Sequence, residues 1–228
     1  MPHRFFARRY YIATVATLSF VLFIVIIYAV FAHGALSVID VSINAFFATH
    51  TSPAFTAVMR QVTFFGDWAF FVFPAAFFAS LALHAARLAR EAALVAFATF
   101  VGGALGFALK NMFAIPRPAG ELIGTTDLFS FPSGHATVAT LFFGSLVCVA
   151  AGRIKNQLLR FVIVAFFVLA IVFVSLSRLY LGMHWFSDVL GGITLGVFFV
   201  SFSVLLSEYG AEHIRRLRHK RLDIKEKQ

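Results

Sequence analysis

The chain has 228 residues, of which 61% are hydrophobic and only 13% are charged, and it contains 31 Phe. So large an apolar fraction exceeds what the core of a water-soluble domain needs, and it predicts an integral membrane protein. The net charge of +9 does not indicate nucleic-acid binding, because the basic residues lie between apolar segments and not on one polar face.

Six apolar segments are long enough to cross about 30 Å of hydrocarbon as helices. They lie at residues 11–31, 68–86, 91–109, 135–152, 160–176 and 188–207. We therefore predict an all-α fold, a polytopic membrane protein with a six-transmembrane-helix bundle, in one membrane-embedded domain over residues 1–228. The first segment is too long for the apolar core of a secretory signal, so we expect it to be a retained helix. Two glycine pairs, Gly102 with Gly106 and Gly192 with Gly196, predict close helix contacts.

Residues 33–67, between the first and second segments, are too polar to span a membrane because they include Asp40, Arg60 and Asp67. We predict one or two short helices at the outer interface, with Pro53 in a first helical turn. The sequence leaves open whether this segment covers a site or only connects two spans.

The positions of Lys and Arg predict the orientation of the bundle. Fifteen of the nineteen basic residues fall on one side of a six-span topology, seven of them in a basic tail at residues 209–228. Because positive residues near short loops stay in the cytoplasm, we expect both termini to be cytoplasmic and residues 33–67 to be extracytoplasmic. The compact size and the absence of long lumenal loops favour the cell (inner) membrane of a prokaryote. The four basic residues on the opposite, extracytoplasmic side are Arg60, Lys110, Arg117 and Arg178.

Three polar segments lie at the predicted outer ends of spans three to six. They are KNMFAIPRP (110–118), FPSGHA (131–136) and SRLYLGMHWFSD (177–188). Taken alone, each has a structural explanation: snorkelling cations, a helix cap at Ser133, or an interfacial His–Asp pair. Ionisable groups at membrane depth are costly and usually mark a site. Because the predicted topology brings all three segments to one face, we interpret them as a single site.

The residue types in these segments point to a phosphate ligand. Lys110, Arg117 and Arg178 supply three positive charges and many fixed donors, which complement phosphate oxygens. Ser133 and Gly134, at the start of a helix, add a hydroxyl and backbone N–H groups for an anion. We expect these five residues to bind substrate phosphate.

Two histidines supply the chemistry of phosphoryl transfer. Asp188 follows His184 by four residues and is expected to share its helical face and to accept its ring N–H, so His184 is the better candidate nucleophile. His135 remains to protonate the leaving group and then to activate water. The two histidines and Asp188 could form a metal site, but the three cations would repel a metal ion, so we expect no metal and no cofactor.

Together the three segments resemble the type 2 phosphatidic acid phosphatase superfamily, whose pattern is K-x6-R-P, then P-S-G-H, then S-R-x5-H-x3-D. Residues 110–118, 132–135 and 177–188 match every fixed position in order and spacing. The resemblance implies a metal-independent phosphatase of membrane lipids with an all-helical core. The roles that it implies are phosphate binding by Lys110, Arg117, Ser133, Gly134 and Arg178, acid catalysis by His135, and nucleophilic attack by His184 held by Asp188. The family also includes soluble acid phosphatases and vanadium haloperoxidases, from which the six apolar segments separate this chain.

A site at the outer leaflet suits an amphiphilic phosphate ester whose tail stays in the bilayer. Bacterial relatives in the family imply undecaprenyl pyrophosphate, which we favour, with phosphatidylglycerophosphate close behind and phosphatidic acid or lipid A phosphates as further candidates. Phosphotransfer to a lipid hydroxyl is an alternative reaction. A lipid or anion transporter would explain the cations but not the paired acid or the second histidine. The expected partners are the lipid substrate and the phospholipid bilayer, with no nucleic acid and no obligate protein partner.

Overall fold

The computed structural model describes residues 2–118 and 128–225, with side chains for residues 7–118, 128–210 and 212. In this part of the chain every regular element is helical, apart from one isolated bridge between Pro116 and Phe129. The α-helices are α1 (Pro2–Phe31), α2 (Ala35–Thr49), α3 (Pro53–Phe64), α4 (Phe73–Ala85), α5 (Ala89–Ala96), α6 (Gly102–Phe113), α7 (Gly134–Arg153), α8 (Gln157–Tyr180) and α9 (Phe186–Lys225).

Six helical segments among the described residues are long and apolar enough to cross a membrane. They are Ala7–Phe31, Trp68–Ala85, Ala89–Phe113, Gly134–Arg153, Gln157–Tyr180 and Phe186–Gly210. The second joins a π-helical turn to α4, and the third joins α5 and α6 through another π-helical turn. The prediction of an all-α bundle with six spans is confirmed, with ends that differ by a few residues from those expected.

Two short helices, α2 and α3, connect the first span to the second. Ser52 is the N-cap of α3, and its side chain accepts a hydrogen bond from the Phe55 N–H. Pro53 lies in the first turn, where its missing N–H costs no helical hydrogen bond. Two helices are thus present where the sequence predicted one or two.

The predicted glycine pairs lie at close contacts between helices. A Cβ added to Gly102 would lie 2.7 Å from the Phe199 ring of α9, and one added to Gly192 would lie 2.8 Å from the carbonyl oxygen of Ser133. Helix α7 packs against both α8 and α9, and α1 packs along α9. The absence of a side chain at these glycines lets α9 approach α6 and α7 closely, as predicted.

Charged side chains at one end of the bundle form ion pairs between helices. Arg9 of α1 pairs with Glu208 at 3.4 Å and with Glu212 at 2.7 Å, both on α9. Arg153, at the end of α7, pairs with Glu91 near the start of α5. The predicted basic tail, residues 209–228, continues α9 as far as Lys225; its side chains from residue 213 onward and its residues 226–228 lie outside the described part. The three polar motifs lie at the other end of the bundle.

Candidate active site

The three motifs meet because neighbouring spans run in opposite directions. Lys110 lies in the last turn of α6 and Arg178 in the last turn of α8, while α7 and α9 begin at this same end. Connections between segments distant in sequence hold them together. The Ser133 N–H donates to the backbone carbonyl oxygen of Asp188 at 3.0 Å, and the Trp185 indole N–H donates to the carbonyl oxygen of Pro116 at 3.1 Å.

His184 and Asp188 form a buried pair at the start of α9. The Asp188 Oδ2 accepts hydrogen bonds from His184 Nδ1 at 3.2 Å and from the Trp185 N–H at 2.8 Å. The Ser130 hydroxyl donates to Oδ1 at 3.3 Å. His184 lies in the turn before α9, so the two residues do not share a helical face as the spacing suggested; the turn itself brings the ring to the carboxylate. With its Nδ1–H directed at Asp188, the ring keeps its lone pair on Nε2.

The electrostatic surroundings of His184 favour its neutral form. Only 2% of the residue is exposed, and burial lowers the pKa of His184 well below its ordinary value, with the nearby charges of Arg178, Arg117 and Lys110 adding to that effect. A ring with a lowered pKa is neutral at neutral pH. His184 therefore carries an unprotonated Nε2 in a cationic environment, as a nucleophile toward an anion requires.

The cations are fixed by contacts with other parts of the site. The Arg117 Nη1 donates to the carbonyl oxygen of Met183 at 2.7 Å, next to His184. The Arg178 Nη1 donates to the Thr63 hydroxyl of α3 at 2.7 Å. Lys110 and Arg178 are both buried. Three positively charged side chains gathered at one end of the bundle attract anions, so this end of the bundle is suited to a multiply charged anion.

The N-terminus of α7 adds neutral donors. Ser133 occupies the N-cap position, as predicted, but its side chain makes no capping hydrogen bond. The Oγ is buried and has no hydrogen-bond partner among the described residues. A Cβ added to Gly134 would meet nothing within 4 Å, so open space lies beside the first turn, whose N–H groups have no acceptor within the helix. A hydroxyl without a partner among the described residues, the start of a helix and open space together are suited to an oxyanion.

His135 is the second residue of α7 and is half-buried. It is close enough to His184 for its charge to contribute to the lowered pKa of that ring. The half-buried ring of His135 and the buried ring of His184 therefore lie at the same site. All eight residues that the sequence singled out are thus gathered at this end of the bundle.

Three residues that sequence reasoning did not assign to the site are in contact with it. Thr63 accepts from Arg178, Ser130 donates to Asp188, and Asp40 of α2 contacts the first turn of α9. Thr63 and Ser130 carry no sequence signal, because their partners are far away along the chain. Asp40 did carry one, since it is the single acid in the apolar helix ALSVIDVSINAFFAT.

Comparisons with known proteins agree with this geometry. The model of the PAP2 superfamily matches residues 91–211. Phosphatidylglycerophosphatase B of Bacillus subtilis is 32% identical over 93 residues, or 39% of this chain and 44% of that protein. The provisionally named undecaprenyl-diphosphatase YbjG of Escherichia coli is 34% identical over 108 residues, or 45% of this chain and 50% of that protein. The matches thus span half or less of these curated relatives.

A solved structure shares the fold over most of the chain. The crystal structure of a transmembrane PAP2 type phosphatidylglycerolphosphate phosphatase from Bacillus subtilis superposes with a TM-score of 0.73 at 24% sequence identity. The superposition covers 87% of this chain and 96% of the other. The fold is therefore that of a multi-pass membrane protein with a known architecture.

Proposed function

This chain belongs to the PAP2 superfamily, and on that premise we propose that it is a membrane lipid phosphatase that acts through a phosphohistidine intermediate. The observation that carries the proposal is the buried His184–Asp188 pair, with the ring neutral and surrounded by three cations. A transport site for anions needs the cations, but it does not need a histidine whose Nδ1–H is fixed and whose Nε2 is left unprotonated.

The phosphate group of the substrate binds between the cations and the start of α7. Lys110, Arg117 and Arg178 neutralise its negative oxygens, and Ser133 Oγ and the N–H of Gly134 donate further hydrogen bonds. These donors are held before substrate arrives, by contacts such as Arg178 to Thr63. Fixed donors stabilise the charge of the transferring phosphoryl group without reorganisation during the reaction.

In the first step the lone pair on His184 Nε2 attacks phosphorus. A P–N bond forms, the P–O bond to the leaving group breaks, and the protonated ring of His135 gives its proton to the departing oxygen. The ring of His184 becomes positively charged as its Nε2 is phosphorylated. Asp188, whose Oδ2 lies 3.2 Å from Nδ1, stabilises that charge and keeps the ring oriented.

In the second step water releases the phosphate. His135, now neutral, takes a proton from the attacking water, a P–O bond forms, and the P–N bond breaks to return the electron pair to His184 Nε2. The products are the dephosphorylated lipid and inorganic phosphate. A lipid hydroxyl in place of water would give phosphotransfer by the same route.

The proposed reaction needs no metal ion. The three cations perform the charge neutralisation that a divalent metal performs in other phosphatases. In the described part of the chain, no group of three or more His, Cys, Asp and Glu side chains is arranged to hold a metal ion. We expect phosphate release to continue in excess EDTA.

We favour undecaprenyl pyrophosphate as the substrate, with phosphatidylglycerophosphate next, because relatives of this chain are named for activities on these two lipids. Three cations also match the charge of a terminal diphosphate better than that of a monoester dianion. A bilayer-embedded tail leaves the headgroup at the depth of these cations.

We propose that the site faces the outside of the cell membrane. Arg9, Arg90 and Arg153 lie at the opposite end of the bundle, where they contact acidic or polar groups of other helices. Under the positive-inside rule, that end is cytoplasmic.

Phosphate release from purified protein in detergent tests the proposal. With EDTA present, the parent should release phosphate from undecaprenyl pyrophosphate, and His184→Ala should lose at least about a thousandfold in kcat. The matched control is His84→Ala, which removes an exposed histidine at the end of α4 and should leave the rate unchanged. Full activity in His184→Ala would contradict the proposed nucleophile.

A panel of four lipid substrates tests which lipid is preferred and whether the reaction is hydrolysis or phosphotransfer. Release rates from undecaprenyl pyrophosphate, phosphatidylglycerophosphate, phosphatidic acid and a lipid A phosphate identify the preferred substrate. Each is measured with and without an acceptor lipid. Transfer of phosphate to the acceptor at the expense of free phosphate would favour the phosphotransferase reaction.

A further inference from the structure

Asp40 is an acid in an otherwise apolar helix. It lies in the middle of α2, and only 8% of the residue is exposed. Burial raises the pKa of Asp40, while hydrogen bonds from Ser187 oppose that rise by favouring the carboxylate. A buried carboxyl group is costly unless donors are fixed around it, so the partners of Asp40 indicate its role.

Those partners lie at the start of α9. The Ser187 N–H donates to Asp40 Oδ1 at 2.8 Å, and the Ser187 hydroxyl donates to Oδ2 at 2.7 Å. Asp40 thus caps the N-terminus of α9 from a different helix, where a carboxylate also complements the helix dipole. The residue that follows Ser187 is Asp188, the acceptor for the His184 ring.

We propose that Asp40 is a positioning residue for the reaction described above: it holds the first turn of α9 so that Asp188 keeps the His184 ring aligned for attack. This inference rests on the proposed phosphatase function. It also gives α2 a function that the sequence left open. The chain of contacts runs from Asp40 through Ser187 to Asp188 and then to His184.

Asp40 is not needed to attach α2 to the rest of the bundle, because apolar side chains already do so. Phe47, near the end of α2, packs against Tyr180 and against Leu179 and Val189 in two apolar clusters, and Leu36 packs against a third. These apolar contacts hold both ends of α2 to the bundle. Asp40 is therefore not needed to hold α2 in place, and its hydrogen bonds act on the start of α9.

Kinetics of purified variants test this role. Asp40→Ala should lower kcat by about tenfold to a hundredfold, because small misplacements of a reacting group have effects of that size, and KM should change by less than about threefold. Ser187→Ala keeps the backbone N–H that donates to Asp40, so it should lower kcat by less than Asp40→Ala does. The variant with both substitutions should have the same kcat as Asp40→Ala, because both substitutions break the same contact between Asp40 and Ser187.

The conservative variant and a control separate positioning from general stability. Asp40→Asn keeps an acceptor for the Ser187 N–H and should recover most of the lost kcat. Asn156→Ala removes a side-chain cap from α8 at the far end of the bundle and should lower the thermal midpoint without changing kcat. A kcat loss below about threefold in Asp40→Ala, or a change confined to KM, overturns the inference. If that variant cannot be purified, Asp40→Leu takes its place, because its apolar side chain also offers no acceptor to Ser187, and a kcat within about threefold of the parent then overturns the inference.

A spectroscopic measurement tests the same inference without turnover. In protein labelled with ¹⁵N-histidine, the ring signals of His184 are assigned by their loss in His184→Ala. They should shift in Asp40→Ala and stay in place in Asn156→Ala. Unchanged ring signals contradict positioning even if the parent releases phosphate. If the parent hydrolyses none of the four lipids, the proposed function fails, and a shift specific to Asp40→Ala still supports the coupling to His184.

Discussion

Replacement of Asp188 by Asn tests the central pair of the site. In the proposed mechanism the His184 ring is neutral at rest, so the carboxylate contributes little charge–charge attraction; in the transition state the ring becomes positive. With an N–O separation of 3.2 Å and an effective dielectric constant of about 20, the attraction amounts to about 5 kcal/mol. At about 1.4 kcal/mol per factor of ten, Asp188→Asn should lower kcat by about 10³–10⁴-fold.

The measurement is phosphate release as a function of lipid concentration. Because the attraction exists only in the transition state, kcat should fall while KM stays within about threefold. Glu91→Gln is the control, since it changes an acid to an amide in the ion pair with Arg153 at the other end of the bundle, away from the site. If Asp188→Asn keeps kcat within tenfold of the parent, the assignment of His184 as nucleophile with Asp188 as its charge partner is wrong.

Three further predictions concern binding, packing and pH. Thr63→Val removes the acceptor for Arg178 and should raise KM by about fivefold to tenfold with kcat within twofold, as measured by the same assay; a change in kcat alone would contradict it. Gly192→Ala places a Cβ 2.8 Å from a backbone carbonyl oxygen and should destabilise the fold by about 1–3 kcal/mol in thermal unfolding. In contrast, Gly152→Ala, with nothing within 4 Å, should be neutral or stabilise by up to about 1 kcal/mol. Because the pKa of His184 is lowered by burial and by the cations, the fall of kcat/KM on the acid side, where the ring becomes protonated, should begin below about pH 6.5, at which an ordinary histidine titrates; the fall on the alkaline side reports the loss of the His135 proton. Over the same range the unfolded chain binds a proton that the buried ring excludes, so the free energy of unfolding should decrease as the pH falls.

Most of the site was predictable because its residues lie at fixed spacings in three short motifs. Lys110 lies in the last turn of the third span and Arg117 follows it, Ser133 caps the fourth, and Arg178 and His184 lie at the end of the fifth and just before the sixth. Alternating spans must bring such ends together, so the grouping followed from the topology. The geometry of the His184–Asp188 pair did not follow from the topology. The spacing of four residues suggested that both lie on one helical face, but the His184 ring lies in the turn before α9.

Contacts between distant segments were not predictable from the motifs. Ser130 and Thr63 are ordinary residues in the sequence, and they contact the site only because loops and helices fold back onto it. Asp40 stood out as an acid in an apolar helix, but its partner Ser187 lies 147 residues away in the chain. No periodicity links two such positions.

The sequence by itself determined the membrane class, the six spans, and the end of the bundle at which the three motifs collect. It did so because the length of each apolar segment and the positions of Lys and Arg are local properties of the sequence, and they determine directly how a chain inserts into a bilayer. The tertiary structure decided which atom faces which: Asp188 toward Nδ1 of His184, a Ser133 hydroxyl that has no partner among the described residues, and Asp40 against the start of α9. Those relations depend on the packing of helices, which glycines such as Gly192 permit, and packing depends on the whole chain at once.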